Sequence, residues 1–402
     1  MSENKTMQNI VIVSSDSYPD GGASANRHMA YAKGLVELGN KVTFILLGPQ
    51  VNRQRDYFED GIKFISVFSD NLISGIFRKH SSIAPYPSVR QGKKMICLIN
   101  SMDKIDFIIL LDTHVWMLHP FLKLCRNNNI KVVHERTEFP FVVIDRGFIG
   151  KIHHYMYQQL VLPKFDGLFV ITQALKVYFS NLTRGKVPVI VINMIVDPTR
   201  FTCQNNPVEN SFKYIAYCGK MDINKDGTDV LIRSYAKARL KLEGIRDIKL
   251  MLIGDTSDSV IIGKLKKEIA GHNCEENVIF TGAIPRHKLP DLLNNAQALV
   301  LARPDSKQAE GGFPTKLGEY LSTGKPVIIT NTGEIGLFLR DGYNAFIAVA
   351  GSVDSFSEKL VQVFENYDEA LKTGLRGKEL VFKEFNYLSQ AGKLAEFLRG
   401  IL

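Results

Sequence analysis

Short apolar runs recur along the chain, separated by charged or glycine-bearing stretches. In the first half they are "NIVIVSSD" (9–16), "KVTFILLG" (41–48), "GIKFISVF" (61–68), "DFIILLD" (106–112), "IKVVHE" (130–135), "GLFVIT" (167–172) and "PVIVINMI" (188–195). Each is β-branched and apolar on both faces, the pattern of strands in a parallel sheet covered by helices. A helix is expected from Asn26 to Leu38, while residues 69–100 break the rhythm. Residues 196–212 are polar, carry two prolines and show no period, so they read as a linker.

The alternation restarts with "KYIAYCG" (213–219), "IKLMLIG" (248–254), "NVIFTG" (277–282), "ALVLAR" (298–303), "PVIIT" (326–330) and "AFIAV" (345–349). Helices are expected near 352–366 and 368–384. A chain of 402 residues exceeds one ordinary core. The expected architecture is therefore α/β, with two doubly wound Rossmann-like domains. Their boundaries are 1–195, a linker at 196–212, and 213–384. A terminal helix within 385–402 is expected to pack back on the first domain. Ligands of such sheets sit at the carboxyl ends of the strands, so the site is expected in a cleft between the domains.

Composition narrows the class. Hydrophobic residues make up 45% and charged residues 23%, ordinary values for a soluble globular protein. No run approaches the ~18 apolar residues of a membrane span. The polar start "MSENKTM" has no secretory pattern. Cysteines 97, 125, 203, 218 and 274 are scattered without a CxxC pair. Free thiols in a reducing cytoplasm are expected, and no metal site. Residues 1–190 hold 23 Lys/Arg against 15 Asp/Glu, so most of the +9 net charge lies in the first half. It clusters at Arg78–Lys79, at Arg90 with Lys93–Lys94, and around Arg146–Lys151. This is either a solvated basic surface or one that attracts anionic lipid, at the inner face of a membrane, or a phosphorylated acceptor. No nucleic-acid recognition signature is present.

Candidate chemistry lies just after the strands. "SYPDGGASANRH" offers Gly21 and Gly22 for tight geometry and Ser24 or Asn26 as a helix cap, an arrangement suited to an anion. "GKMDINKDGTDVLI" places Lys220 and Lys225 before a helix, where two ammonium groups can neutralise a diphosphate. In "EGGFPTKLGEYLSTGKPVI", Pro314 suits the first helical position. The N–H groups of Thr315, Lys316 and Leu317 would then face an anion. Glu319, off the apolar stripe Leu317–Tyr320–Leu321, can accept two hydrogen bonds from a ribose diol. An ordinary Lys316–Glu319 helix pair is the simpler alternative.

Taken together, these stretches resemble the retaining glycosyltransferases of family 4, which have the GT-B fold. The resemblance runs along nearly the whole chain and is carried further by "KVVHERTEFP", "VINMIVDPTRF" and "FTGAIPRHKLPDLLNNAQALVLAR". It implies sugar transfer from a nucleoside diphosphate sugar to a hydroxyl, with retained anomeric configuration. The acceptor would be a saccharide or lipid-linked saccharide in glycan assembly. It implies that His134 is the active-site histidine, with His114 in "DTHVW" as competitor. Gly22, Lys220, Lys225, Thr315, Lys316 and Leu317 would hold the donor diphosphate, and Gly311, Gly312 and Phe313 the sugar. Glu319 would hold the ribose, and Arg303 is a further candidate.

The family signature has two glutamates separated by seven residues. Here Gly311 stands at the first position and Glu310 is displaced by one. Either Glu310 still reaches the sugar, or the N–H groups of Gly311–Phe313 replace it. No D-x-D occurs, so cationic side chains are expected in place of a metal, and no cofactor besides the donor. Rival readings are a sugar-nucleotide epimerase of the same architecture and a non-catalytic nucleotide-binding protein.

Overall fold

A computed structural model describes residues 7–18, 22–48, 56–67, 89–111, 115–140, 147–202 and 212–402. Gly21, Arg78, Lys79, His114, Arg146 and Cys203 lie outside these residues. The chain forms two compact units, one of Met1–Ile195 with Tyr387–Leu402 and one of Val196–Asn386.

Unit 1 is built on eight strands, β1 (Asn9–Ser14), β2 (Lys41–Leu46), β3 (Asp56–Glu59), β4 (Ile62–Ser66), β5 (Phe107–Leu110), β6 (Lys131–Arg136), β7 (Gly167–Val170) and β8 (Val189–Val191). Their order is β3-β4-β2-β1-β5-β6-β7-β8. Ile10 to Val13 and Phe107 to Leu110 are fully buried, as the two-faced apolar runs require. β3 is an addition to the expected set. It pairs antiparallel with β4 at the sheet edge, Glu59 opposite Ile62. Asp60 and Gly61 both take positive φ, 49° and 75°, the type I′ turn that matches the twist of a two-residue hairpin. β8 is shorter than the expected 188–195.

Helix Gly22–Glu37 packs on the terminal helix Tyr387–Gly400. The contact is close because Gly34 has no side chain: a Cβ there would lie 2.5 Å from Ala391 Cβ and 2.9 Å from Tyr387 O. Gly34→Leu is expected to force the two helices apart. A loss of about 2 kcal/mol or more, read from the denaturation midpoint, would mark the overpacking; an unchanged midpoint would show that the helix pair is not needed.

Unit 2 is a parallel sheet of β9 (Tyr214–Cys218), β10 (Lys249–Ile253), β11 (Val278–Gly282), β12 (Ala298–Leu301), β13 (Val327–Thr330) and β14 (Phe346–Ala348), in the order β11-β10-β9-β12-β13-β14. Chain order reverses between β9 and β12, and in unit 1 between β1 and β5. Such switch points open a crevice beyond the carboxyl ends of the strands. The expected linker needs correction at its start. Residues 196–202 belong to unit 2, where Val196 bridges Asn386 and the turn Pro198–Phe201 is capped by Asp197. Asn294 Nδ2 donates to Phe201 O at 3.3 Å. Residues 203–211 lie outside the described ones.

Candidate active site

In unit 1, Gly22 opens helix Gly22–Glu37 with φ of 82°. The helix starts earlier than expected, so Ser24 and Asn26 lie inside its first turns and neither caps it. The next two residues carry more structure than the sequence suggested. Arg27 is buried and donates from Nε to Glu135 Oε1 at 2.7 Å, from Nη1 to Asn193 O at 2.6 Å and from Nη2 to Ile192 O at 2.8 Å. His28 Nε2 lies 3.1 Å from Glu135 Oε2 and its Nδ1 2.7 Å from the Tyr18 hydroxyl. Burial alone would raise the Glu135 carboxyl, but the guanidinium of Arg27 and the bond from His28 outweigh it and hold the group at about 2.

His134, expected as the active-site histidine, sits in the core, with its Nε2 buried and without a hydrogen-bond partner among the described residues. It lies two residues inside β6 with no exposed surface, stacked 4.8 Å from Phe165. Its Nδ1–H donates to Leu110 O at 2.7 Å. Burial pushes its pKa down to about 3, assisted by Arg136, so the ring is neutral near pH 7 and cannot stabilise charge as a cation. The residue at the strand's end is Arg136. Its guanidinium lies 5.6 Å from the Tyr157 ring and 5.9 Å from that of Phe179, and its Nε is buried without a hydrogen-bond partner. The period of two along β6 puts it on the face of His134, one step nearer the carboxyl end, which is the signal that would have found it.

In unit 2 the segments after β9 and β12 meet at the switch point. Gly219 and Gly254 end β9 and β10 in mutual contact, since a Cβ on Gly254 would lie 1.9 Å from Gly219 O. Asp222 caps the turn Ile223–Asp226 by accepting from the N–H groups of Asn224 and Lys225, both at 2.9 Å. Gly227 then takes φ of 65° and passes so close to Ala302 O that a Cβ would sit 2.0 Å from it. Lys220 is exposed and Lys225 half-buried on this segment.

Asp226 is buried and gathers the cations. Lys316 Nζ reaches its Oδ2 at 2.6 Å, and Tyr217 donates to the same oxygen at 2.6 Å. Burial would raise the Asp226 carboxyl, yet Lys316, Tyr217 and the charge of Arg303 hold it below the usual range. Arg303 is itself buried, just beyond β12. Lys316 and Glu319 do not pair with each other. Glu319 is buried and accepts from Arg200 Nη1 at 2.9 Å, which fixes the carboxylate; Arg200 Nη2 is buried without a partner. Arg200 was not singled out in sequence, because it lies 119 residues from Glu319. Cys218 lies beside this pair. Burial and the charge of Glu319 push its thiol up to about 12, so it is no thiolate nucleophile.

The helix in "GGFPTKLGEY" starts two residues later than expected. It runs Lys316–Ser322 with Thr315 as cap, so Pro314 precedes the cap. The Leu317 N–H is not available to an anion, since it donates to Pro314 O at 3.0 Å. The Gly312 N–H is likewise taken, by Gln308 O at 3.1 Å. Among the described residues, the N–H groups of Phe313, Thr315 and Lys316 have no acceptor. Glu310 is exposed on the short helix Lys307–Gly311 and pairs with Lys307 at 3.4 Å. Gly311 ends that helix. The Phe313 ring is anchored against Phe338 and Phe385, with centroids at 5.7 and 5.8 Å.

Residues 212–366 match the family described as glycosyl transferases group 1. A GDP-mannose-dependent alpha-(1-6)-phosphatidylinositol monomannoside mannosyltransferase of Mycobacterium tuberculosis is 27% identical over 184 residues, 44% of this chain and 45% of that protein. The matched stretch thus spans less than half of this curated relative. Among solved structures, sucrose-phosphate synthase of Thermosynechococcus elongatus superposes with TM-score 0.75 at 14% identity, covering 98% of this chain and 99% of that one. Anabaena HepE in complex with UDP and glucose gives 0.72 at 15% identity, covering 98% and 100%. These likenesses establish the fold, and it is the GT-B fold expected from the sequence.

Proposed function

We propose, with residues 212–366 a glycosyl transferases group 1 domain, that this protein moves a sugar from a nucleoside diphosphate sugar to a hydroxyl acceptor. The observation that carries the reading is the gathering of Lys316 and Arg303 about Asp226 at the β9/β12 switch point, on the segments that also bear Lys220 and Lys225. A diphosphate leaving group gains negative charge as the glycosidic bond breaks, and fixed cations with unpaired amides answer that charge without reorganising. Lys220, Lys225, Lys316 and the N–H groups of Thr315 and Lys316 would hold the diphosphate. Glu319, oriented by Arg200, would hold the ribose. The N–H of Phe313, on the turn made by Gly311 and Gly312, would face the sugar together with Glu310. These side chains would take the place of a metal.

Retention of anomeric configuration is part of the proposal. Glu310 is exposed and, among the described residues, paired with a surface lysine, so it lacks the fixed geometry of a nucleophile. Attack from the face of the departing phosphate fits that arrangement better, with His134 neutral and not a source of positive charge. For the acceptor we favour a saccharide or lipid-linked saccharide at the inner face of a membrane. Among the described residues, no helix is long and apolar enough to cross one.

The direct test is a thermal-shift screen of GDP- and UDP-hexoses, followed by turnover with the best donor. One donor is expected to raise the midpoint, and Lys225→Ala to weaken that shift about tenfold or more in donor concentration. The product's anomeric configuration, read by NMR, tests retention. A screen in which no nucleotide sugar shifts the protein would end the proposal. A donor that binds but yields a free epimer would redirect it.

A further inference from the structure

One layer of unit 1 has a charge pattern that the transfer reaction does not use. Helix Val89–Ser101 packs on helix Val115–Asn127, and that helix packs on the π-helical turn Tyr157–Val161. This turn continues helix Gly147–Met156 and runs on into Leu162–Lys164. These segments hold Arg90, Lys93, Lys94, Lys123, Arg126, Lys151 and Lys164, and no aspartate or glutamate. Arg90, Lys93, Lys123, Arg126 and Lys151 are exposed. In water, five exposed cations on segments that carry no acid of their own repel one another, with Asp166 the nearby carboxylate, two residues beyond Lys164.

The third helix adds an apolar stripe. Ile152 is 45% exposed, Tyr155 65%, Met156 39% and Leu160 50%. The spacing i, i+3, i+4, i+8 puts them on one side of the helix. Its opposite side is the buried one, with Tyr157 and Val161 in the core. An outward apolar stripe with an aromatic ring, beside lysines and without acids, is the signature of a helix lying in a lipid interface.

We propose that this outer face, led by Ile152, Tyr155, Met156 and Leu160, docks on an anionic phospholipid surface. The charge complementarity selects lipid over a second copy of the chain, because two copies would bring like charges together. The apolar stripe enters the headgroup boundary, while Lys93, Lys123, Arg126 and Lys151 meet the lipid phosphates. The inference stands on unit 1 alone and survives failure of the donor reading.

The intact protein is sedimented with phosphatidylcholine vesicles, with and without phosphatidylglycerol. Binding to the anionic vesicles alone is expected, and it should weaken as salt is raised. The double variant Ile152→Asp/Tyr155→Asp should lose roughly tenfold or more in partitioning. Lys93→Glu/Lys123→Glu should lose binding while keeping the stripe. Both pairs are exposed, and an unchanged thermal midpoint and unchanged donor shift would show both units folded. No binding to either vesicle, equal binding of the variants, or indifference to salt would overturn the proposal. So would a dimer, seen by light scattering, that the double variant dissolves.

Discussion

Replacing Glu135 with leucine is expected to destabilise unit 1 by about 3–5 kcal/mol. Arg27 and Glu135 have side chains only 1% and 3% exposed, with Arg27 Nε 2.7 Å from the carboxylate. Taking two charges out of water is costly, and their attraction roughly offsets that. Removing one partner leaves the other buried without compensation. Arg27 would still donate to Asn193 O and Ile192 O, but carbonyl dipoles do not cancel a full charge. The double variant Arg27→Met/Glu135→Leu should recover most of the loss, and a denaturant titration of the three proteins reads both numbers. A single variant as stable as the parent would show that the pair is not a structural tie.

The same residues give the unit its acid sensitivity. The Glu135 carboxyl is held at about 2 instead of 4.5, so its contribution is complete above pH 4.5 and is lost as pH falls towards 2. His134 is held at about 3 instead of 6.5 by burial, so the fold excludes its proton. Its contribution is complete above pH 6.5 and declines as pH falls towards 3, because the unfolded chain binds the proton first. Stability should therefore fall from pH 6.5 downward, and His134→Gln should flatten the upper part of that slope.

The strands were legible because burial on both faces leaves an unbroken apolar run, as in β1 and β5. The edge strand β3 was missed for the opposite reason. Its residues Asp56–Glu59 alternate between exposed and half-buried, so they form no apolar run. The Asp60–Gly61 pair was the available signal. At the site, the residue types could be read but their partners could not. Lys316 and Glu319 stand three apart, yet Lys316 pairs with Asp226, 90 residues away, and Glu319 with Arg200, 119 away. Chain folding chose the first pair by bringing the ends of β9 and β12 together and the second by setting the turn Pro198–Phe201 against helix Lys316–Ser322, and no local pattern records that. The depth of His134 was hidden for a related reason. Sequence shows a histidine near a strand end, but only the pairing with β7, Glu135 opposite Phe169 and Arg136 opposite Val170, shows that the strand runs two residues further to Arg136.

Gly219→Ala is expected to lower donor affinity or transfer by about a hundredfold, with some loss of stability in unit 2. Gly219 follows β9, and a Cβ there would lie 2.3 Å from Lys316 Nζ and 2.8 Å from Tyr217 Oη. The nearest obstacle is thus the tip of a flexible side chain, which can swing away only by giving up its bond to the buried Asp226. Swinging away is what removes the ammonium from Asp226, where a 2.6 Å bond now fixes it over the Tyr217 ring, 4.8 Å from its centroid. Lys316→Ala should give a similar kinetic loss and a drop in stability of the same origin, because both variants leave the Asp226 carboxylate without its ammonium. Lys316→Arg keeps the charge but cannot fit the same gap, so it should recover only part of the activity. Measured together, the three variants separate charge from placement. If Gly219→Ala transferred sugar at the parental rate, the ammonium's position would not matter, and the diphosphate would have to be held elsewhere in the unit.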